Sequence, residues 1–386
     1  MSVETITLGC RLNFAESQTI ARTAPADEDW IVVNSCAVTN EAVRQTRQAI
    51  RGAHRRRPGA KILVTGCAAE LEPAMFATMP GVSRVVGNAR KLNSLVANDV
   101  MAPAGLLANV KSFVAVQTGC DHRCTFCSIW QARGPSVSLP FEAIREAVAR
   151  EIDRGANEIV LTGVDITDYE GGLGMLCQRL LAAEPRLERL RLSSLDSIEI
   201  DDALFELIAG ETRLMPHFHL SLQAGDDMIL KRMKRRHSRA DAVRTVERIK
   251  SARPDASIGA DLIAGFPTES EEMAINSLKL LDDCDIIAAH VFPFSPRPGT
   301  PAARMPPLAR DVVKARAARL REAAANRRQR WLDSMAGSVQ PVLVEGEGTG
   351  HTNNFAPVAI AGSVRGESGN ARITGRESDH LAAVWA

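Results

Sequence analysis

Short apolar runs separated by longer amphipathic stretches recur along the chain, and they constrain its fold more than any other feature. In the first hundred residues, the strand-like runs fall at 6–10, 30–36 and 61–67, and the helical stretches at 13–23 and 41–54. This βαβαβ order is typical of a parallel sheet covered by helices. We therefore expect residues 1–100 to form an N-terminal α/β domain.

The same alternation continues in a second segment that starts near residue 111. Its six apolar runs lie at residues 113–116, 158–163, 190–193, 219–222, 258–263 and 287–292. Because helical stretches separate them, this segment predicts a partial (β/α)6 barrel over residues 111–330, with its active site at the C-terminal strand ends. Residues 97–109 contain Pro and Gly without clear periodicity and predict a linker.

The last fifty residues have a different pattern. A helical stretch rich in Arg and Ala, residues 308–335, is followed by short strands and Gly-rich turns. The strand-like runs fall at 340–345, 355–360, 370–374 and 380–384. They predict a small antiparallel β-barrel over residues 336–386, so the chain as a whole is of the α/β class with three domains.

Length and composition bound the class of protein. At 386 residues the chain can form two or three domains with a large buried core. No run approaches about 18 consecutive apolar residues, and the N-terminus lacks signal-peptide features, so we expect a cytoplasmic protein without a membrane partner. Its eight cysteines should then be reduced, which favours metal ligation or catalysis for any that cluster.

The charged residues are unevenly distributed, although 47 Lys and Arg nearly balance 46 Asp and Glu. Basic residues concentrate at 44–57, 231–239 and 304–330. Each run could be a solvated helix face, but three together favour a polyanionic partner such as RNA. With one Tyr and 4% aromatic residues, a broad base-stacking platform is not expected.

Three cysteines lie in one short segment, Cys120, Cys124 and Cys127, with the spacing C-x3-C-x2-C. Three thiolates on one loop can ligate three irons of a 4Fe-4S cluster and leave the fourth iron open. A structural zinc site, with His122 as the fourth ligand, is the alternative. The loop follows the first barrel strand, which is where barrel active sites form.

Three other cysteines, Cys10, Cys36 and Cys67, each end one of the three N-terminal strands. Because the carboxyl ends of parallel strands meet at one edge of the sheet, these thiols can converge although they are distant in sequence. The alternative is that they are small buried packing residues, which is how we interpret Cys177 and Cys284.

Cys120, Cys124 and Cys127, with Phe126 before the last, resemble the cluster loop of the radical S-adenosylmethionine superfamily. The resemblance implies that the open iron binds the amino and carboxylate groups of S-adenosylmethionine. It also implies one-electron cleavage to methionine and a 5′-deoxyadenosyl radical that abstracts hydrogen from a C–H bond.

The whole chain resembles the methylthiotransferase branch of that superfamily. The matching stretches include residues 7–10, 34–39, 64–67, 161–165, 192–194, 220–225 and 261–267. The resemblance implies a second 4Fe-4S cluster on Cys10, Cys36 and Cys67 that carries the sulfur to be inserted. It also implies that the C-terminal β-domain is a TRAM-like RNA-binding module.

Within that branch, residues 8–13, 162–166 and 232–237 are most similar to the tRNA N6-threonylcarbamoyladenosine methylthiotransferases. The resemblance implies transfer of a methylthio group to C2 of adenosine 37 in the anticodon loop, with a low-potential electron donor and a sulfur donor. Alternatives are isopentenyladenosine tRNA or a ribosomal-protein aspartate as substrate, or a non-catalytic iron–sulfur protein that binds RNA or senses redox state. Residues 128–134 depart from the family by lacking its usual proline.

Weaker signals mark residues that could contact S-adenosylmethionine or substrate. The candidates are Phe126, Gly163, Asp165, Gln223 and Asp261. The last four lie at or near strand ends, but they could instead form ordinary turns or satisfy hydrogen bonds inside the barrel. Residues 293–300 form a Pro-containing loop that we expect near the adenine. No catalytic residue beyond the cluster ligands is assigned.

Overall fold

A computed structural model describes residues 3–23, 29–93 and 110–386 of the chain. The expected linker at residues 97–109 lies outside the described residues. No described helix is long and apolar enough to cross a membrane.

The N-terminal part is a parallel four-stranded sheet, in the order β1-β2-β3-β4, flanked by helices. Its elements are β1 (Glu4–Thr7), α1 (Arg11–Thr23), β2 (Trp30–Ser35), α2 (Asn40–Arg56), β3 (Lys61–Gly66), α3 (Cys67–Leu71), α4 (Pro73–Ala77) and β4 (Val82–Val85). A 3-10 turn, Asn88–Asn93, follows. Every residue of β2 is buried, because helices cover both faces of the sheet. The sequence did not predict β4, whose middle residues are exposed.

The central part is the expected partial barrel of parallel strands, divided into a three-stranded and a four-stranded sheet. Its first half contains β5 (Lys111–Ala115), β6 (Gln117–Thr118), α5 (Ile129–Arg133), β7 (Val137–Ser138), α6 (Phe141–Asp153), β8 (Glu158–Thr162), α7 (Leu173–Ala183), β9 (Leu190–Leu192), β10 (Ser194–Leu195) and α8 (Asp202–Gly210). Strands β6 and β7 form a separate antiparallel pair. The third predicted strand is interrupted at Ser193, whose N–H instead bonds Leu161 O. This interruption divides the barrel into its two sheets.

The second half of the barrel continues in the same βα order. Its elements are β11 (His217–Gln223), α9 (Asp227–Met233), α10 (Arg239–Ala252), β12 (Ser257–Ala264), α11 (Glu271–Asp283), β13 (Ile286–Pro293) and α12 (Arg310–Asp333). Short 3-10 turns cover Ile166–Asp168 and Pro301–Arg304. One continuous apolar core runs between strands and helices and includes Cys177 and Cys284, both fully buried. These two cysteines are therefore packing residues.

The C-terminal part is a closed five-stranded barrel in the order β14-β15-β16-β18-β17. Its strands are β14 (Val339–Gly346), β15 (Thr349–Thr352), β16 (Pro357–Ile360), β17 (Ser368–Glu377) and β18 (His380–Trp385). Four pairings are antiparallel as expected, whereas β16 and β18 pair in parallel. Phe355, expected within a strand, lies in the preceding turn with a φ of 71°.

That turn joins the C-terminal barrel to the N-terminal strand ends of the central barrel. The ring of Phe355 stacks on His217 at 4.9 Å, and the Lys111 ammonium lies 4.9 Å from its centroid. Ser257 Oγ donates to the carbonyl of Asn354 at 2.6 Å. The C-terminal barrel thus packs against the opposite end of the central barrel from the cysteine loop.

Candidate iron–sulfur site

The three N-terminal cysteines lie at one edge of the parallel sheet. Cys10 follows β1 by three residues, Cys36 comes directly after β2, and Cys67 is the first residue of α3. Burial, together with the neighbouring thiols of Cys10 and Cys67, raises the pKa of Cys36 to about 11. The predicted convergence is therefore present in the fold.

Gly9 permits the close approach of Cys10 and Cys36. Its φ of 92° lies in the left-handed region, and a Cβ at this position would be 2.7 Å from Cys36 Sγ. Only glycine fits without moving the Cys36 thiol.

Arg133 connects this triad to the central barrel, although sequence reasoning gave it no role. Its Nε donates to Cys67 Sγ at 3.3 Å, and its side chain is only 2% exposed. Its other nitrogens donate to Asn13 Oδ1 at 2.6 Å and to Glu16 Oε1 at 2.8 Å. Burial lowers the pKa of Arg133, but Cys67 and Glu16 outweigh this effect and raise it. The guanidinium therefore remains charged beside a thiol that would ligate as thiolate.

The cysteine loop of the barrel is held by backbone hydrogen bonds. Gly119 has a φ of 76°, and a Cβ there would lie 1.8 Å from Pro135 O. Cys120 N–H donates to Gly134 O at 3.1 Å, and Thr125 N–H to Met233 O at 3.0 Å. These contacts place both ends of the loop at the C-terminal side of the barrel, as the sequence predicted.

The surroundings of the loop thiols suit thiolate ligands. Ile129 N–H donates to Cys127 Sγ at 3.3 Å, and Arg235 Nη1 lies 3.8 Å from Cys124 Sγ. Burial, with the neighbouring thiols adding to it, raises the pKa of Cys120 to about 12 and that of Cys127 to about 11. N–H···S bonds and nearby cations are what three-cysteine cluster sites require, so the residues present fit a 4Fe-4S group.

The two triads face each other. Helix α3, which begins at Cys67, packs against α5, which follows the loop. The Cys67 thiol is close enough to raise the pKa of Cys127. The elements that carry the two triads thus pack against each other, and Arg133 of α5 contacts Cys67 of the N-terminal triad.

Two of the weaker candidates lie beside the loop. Gly163 ends the β8 region next to Gln117, whose Oε1 accepts the N–H of Asp165 at 3.0 Å. His122 Nε2 lies 2.7 Å from Asp165 Oδ2. Burial alone would raise the pKa of Asp165, but its bonds with His122 and Thr167 lower it. Asp165 is therefore a buried anion next to the cysteine loop.

The other candidates are placed differently. Phe126 packs against an apolar cluster that includes Met233 and Phe266. Gln223 ends β11 with a φ of 66°. Asp261 lies within β12.

Two imidazoles surround Asp261, and sequence reasoning had named neither. His219 Nε2 lies 2.9 Å and His290 Nδ1 3.1 Å from its Oδ1. Burial would raise the pKa of Asp261, but these histidines hold it well below its usual range. A sequence signal was available, since all three residues lie on neighbouring parallel strands.

The loop at residues 293–300 contacts the N-terminus of α2. Asn40 N–H donates to Ser295 Oγ at 3.1 Å, and Arg297 Nη1 donates to Asn40 Oδ1 at 2.5 Å. Arg297 is almost fully buried. The loop therefore joins the barrel rim to the segment that follows Cys36.

Two family profiles match the chain. The Radical SAM superfamily matches residues 114–281, and a family described as Uncharacterized protein family UPF0004 matches residues 2–87. The two matches contain one cysteine triad each.

Curated relatives match along most of the chain. A "Threonylcarbamoyladenosine tRNA methylthiotransferase MtaB" of Rickettsia prowazekii is 41% identical, over 99% of this chain and 97% of the relative. The enzyme of the same name in Thermotoga maritima is 32% identical, covering 95% and 93%. A "tRNA-2-methylthio-N(6)-dimethylallyladenosine synthase" of Erythrobacter litoralis is 33% identical, covering 88% and 85%.

Among solved structures, the radical S-adenosylmethionine methyltransferase TsrM from Kitasatospora setae is similar in fold. It has a TM-score of 0.54 at 14% identity, and the match covers 73% of this chain and 66% of that chain. The chain thus spans slightly less than two thirds of TsrM, and the similarity shows a shared fold.

Proposed function

The chain belongs to the tRNA methylthiotransferases of the radical S-adenosylmethionine superfamily, and from this membership we propose that it attaches a methylthio group to C2 of N6-threonylcarbamoyladenosine 37 in tRNA. In the overall reaction, the hydrogen at C2 is transferred to the 5′-deoxyadenosyl group of one S-adenosylmethionine, which leaves as 5′-deoxyadenosine and methionine, and a sulfur that carries a methyl group from a second S-adenosylmethionine takes its place. S-adenosylmethionine supplies the methyl group, a separate donor supplies the sulfur, and a low-potential reductant supplies electrons. The cytoplasm is the compartment that we propose for this reaction.

One observation carries this proposal: α3, which begins at Cys67, packs against α5, which follows Cys127, and Arg133 of α5 donates to Cys67 Sγ at 3.3 Å. Cys120, Cys124 and Cys127 would hold the 4Fe-4S cluster that binds S-adenosylmethionine, and Cys10, Cys36 and Cys67 a second 4Fe-4S cluster. When bound, the first cluster supplies one-electron cleavage of S-adenosylmethionine, and the second supplies the site of the transferred sulfur.

The chain's own side chains have three roles in this scheme. Arg133 and Arg235 balance thiolate charge, because each lies within hydrogen-bond reach of a ligand sulfur. Asp165 is a buried carboxylate beside Cys120, suited to the ammonium group of S-adenosylmethionine, and we assign Gly163 of the same turn to binding of this cosubstrate. Phe126, Gln223 and Asp261 are assigned to the cosubstrate and substrate surfaces of the barrel.

The domains divide the work accordingly. We assign the second cluster to residues 1–100, cleavage of S-adenosylmethionine to residues 111–330, and RNA binding to the TRAM-like residues 336–386. Support for the threonylcarbamoyl substrate comes from the relatives of that name, which reach 41% identity over nearly the full chain.

The decisive experiment is nucleoside analysis of total tRNA by mass spectrometry after deletion of the gene. Methylthiolated threonylcarbamoyladenosine should be absent from the deletion strain. The intact gene should restore it, whereas genes that encode Cys36→Ser or Cys124→Ser should not. Cys177→Ala, at a fully buried cysteine outside both triads, is the matched control and should restore it. If methylthiolated threonylcarbamoyladenosine is unchanged in the deletion strain and methylthiolated isopentenyladenosine is lost, isopentenyladenosine is the substrate. If neither nucleoside changes, the tRNA assignment is refuted.

Measurements on purified protein distinguish the roles of the two clusters. Anaerobic preparations should contain about eight irons per chain, and Cys36→Ser about four. With dithionite and S-adenosylmethionine, Cys36→Ser should still release 5′-deoxyadenosine while thiomethyl transfer is lost. Absence of 5′-deoxyadenosine from the wild-type protein would favour a non-catalytic iron–sulfur protein.

A further inference from the structure

Some arginines of the second and third basic runs are already paired with carboxylates, although five of the eight in the third run have no ion pair among the described residues. Six arginines of the second and third runs form an ion pair with a carboxylate on a different segment of the chain. The pairs are Arg235 with Asp196, Arg236 with Glu199, Arg239 with Asp283, Arg316 with Glu269, Arg319 with Glu271 and Arg327 with Asp282. These arginines stabilise the protein's own fold and are less available to a partner.

In the first run, four of the arginines lie on one face of α2. Arg44, Arg47, Arg51 and Arg55 fall within an arc of about 80° at 3.6 residues per turn. Arg44 pairs with Glu41, the only acidic residue of the helix. Within the described part of the chain, Arg47, Arg51 and Arg55 have no ion pair or hydrogen bond, and Arg47 Nε is buried without an acceptor. They form an unpaired arginine stripe, a name we keep for these three residues.

Helix α2, which carries the arginine stripe, starts beside the candidate site. Thr39, three residues after Cys36, caps α2 by accepting the Ala42 N–H at 3.1 Å, and Asn40 contacts the barrel loop at Ser295. The far end of the helix is fixed to the opposite edge of the sheet, where Arg56 and Arg57 pair with Glu4. The 17-residue helix therefore runs about 25 Å away from the cysteines.

The chemistry of the arginine stripe suits a phosphate backbone. Guanidinium groups bind phosphate oxygens with paired hydrogen bonds, and spacings of four residues separate these side chains by about 6 Å along the axis. A membrane surface fits less well, since none of the large exposed apolar side chains lies on α2.

We infer that Arg47, Arg51 and Arg55 bind the phosphate backbone of the substrate tRNA on the stem side of adenosine 37, and so orient the stem while the nucleoside enters the site. This inference rests on the proposed function. It adds a docking surface on the N-terminal domain to the C-terminal RNA-binding domain.

The test compares two triple variants with equal changes in charge. The first is R47Q/R51Q/R55Q. The control is R145Q/R150Q/R186Q, which removes three partly exposed arginines that are ion-paired elsewhere on the surface. The stripe variant should weaken tRNA binding more than tenfold at moderate salt and reduce the slope of log K against log salt by about 2–3, whereas the control should not.

Steady-state kinetics distinguish weaker docking of tRNA from damage to the candidate iron–sulfur site. The stripe variant should raise KM for tRNA and leave kcat at saturating tRNA unchanged, together with iron content and RNA-independent release of 5′-deoxyadenosine. Equal effects of the two triple variants, or wild-type affinity of the stripe variant, would overturn the inference. Loss of binding to phosphatidylglycerol vesicles instead of tRNA would overturn it in favour of a membrane surface.

RNA length provides a second measurement. Arg47 lies about 10 Å and Arg55 about 22 Å along the helix from Asn40. Binding of a pentanucleotide centred on adenosine 37 should be insensitive to R55Q, whereas binding of the full anticodon stem-loop should weaken; equal sensitivity would contradict the placement. If the wild-type protein neither binds nor modifies any tRNA, the proposed function fails; if it does both and the stripe variant matches it, only this inference fails.

Discussion

At the scale of single residues, Arg133 has the most consequential set of contacts. It bonds Cys67 of one triad and both Asn13 and Glu16 of α1, while its own helix follows the loop of the other triad. Lys91 is the second cation that pairs with Glu16. These charges are almost fully buried, and loss of Arg133 would leave Glu16 with Lys91 as its cation.

Arg133→Gln should therefore destabilise the metal-free protein by about 1.5–3 kcal/mol, since it removes charged hydrogen bonds to the buried Glu16 carboxylate, which keeps Lys91 as a cation. Urea denaturation followed by circular dichroism measures this change. Arg145→Gln, which breaks an exposed pair with Glu142, is the control and should have no measurable effect. Equal midpoints for the two variants would contradict the role of Arg133.

At the scale of elements, short glycine turns position both sets of thiols after their strands. Gly9 leads from β1 to Cys10, and Gly119 from β6 to Cys120, each with a positive φ. In the sequence, a glycine before a cysteine at a strand end indicates such a turn. A Cβ at Gly9 would collide with Cys36. The sequence does not predict this neighbour, because it depends on the pairing of β1 with β2.

Gly9→Ala should selectively remove the N-terminal cluster, because the added Cβ would lie within 3 Å of Cys36 Sγ. We expect iron content to fall by about half, with 5′-deoxyadenosine release retained and thiomethyl transfer lost. Gly119→Ala should instead abolish 5′-deoxyadenosine release. Gly59→Ala, where the added Cβ would meet nothing within 4 Å, is the control; full iron content in Gly9→Ala would refute the steric argument.

At the scale of the whole molecule, the turn before β16 joins the C-terminal barrel to the central barrel. Phe355 lies between His217 and His351, with Lys111 and Arg191 over its ring. Glu345 of β14 pairs with Lys111 in the same place. The sequence predicted both barrels but not this junction, which forms only when residues more than 130 positions apart come together.

Phe355→Ala should loosen the C-terminal barrel and cost about 3 kcal/mol, because it removes aromatic packing and two cation–π contacts. Limited proteolysis near residues 334–338 should accelerate, and tRNA affinity should fall while release of 5′-deoxyadenosine stays within twofold. Val364→Ala, at a 66% exposed side chain between β16 and β17, is the control. Unchanged proteolysis in Phe355→Ala would show that the ring does not hold the junction.

The same junction predicts a pH dependence. Burial would raise the pKa of Glu345, but the His351 hydrogen bond and the Lys111 charge outweigh it and lower the pKa to about 2. Since the folded pKa lies below the unfolded value of about 4.3, the stabilisation by Glu345 is complete above about pH 5 and is lost as pH falls toward 2. In metal-free protein, the stability difference between wild type and Glu345→Gln should shrink over that range; a constant difference would contradict this assignment.

The sequence by itself determined the βα order, the two cysteine triads and the family, because strand periodicity, cysteine spacing and motif order are local or linear properties. Tertiary structure alone decided that Arg133 of α5 contacts Cys67 of the N-terminal triad, that Asp261 lies between two histidines and that Arg316 pairs with Glu269 while the stripe on α2 has no ion pair. Each of these depends on which side chains meet across distant elements. A linear pattern specifies the face of a strand or helix, but only packing specifies the partner that face meets.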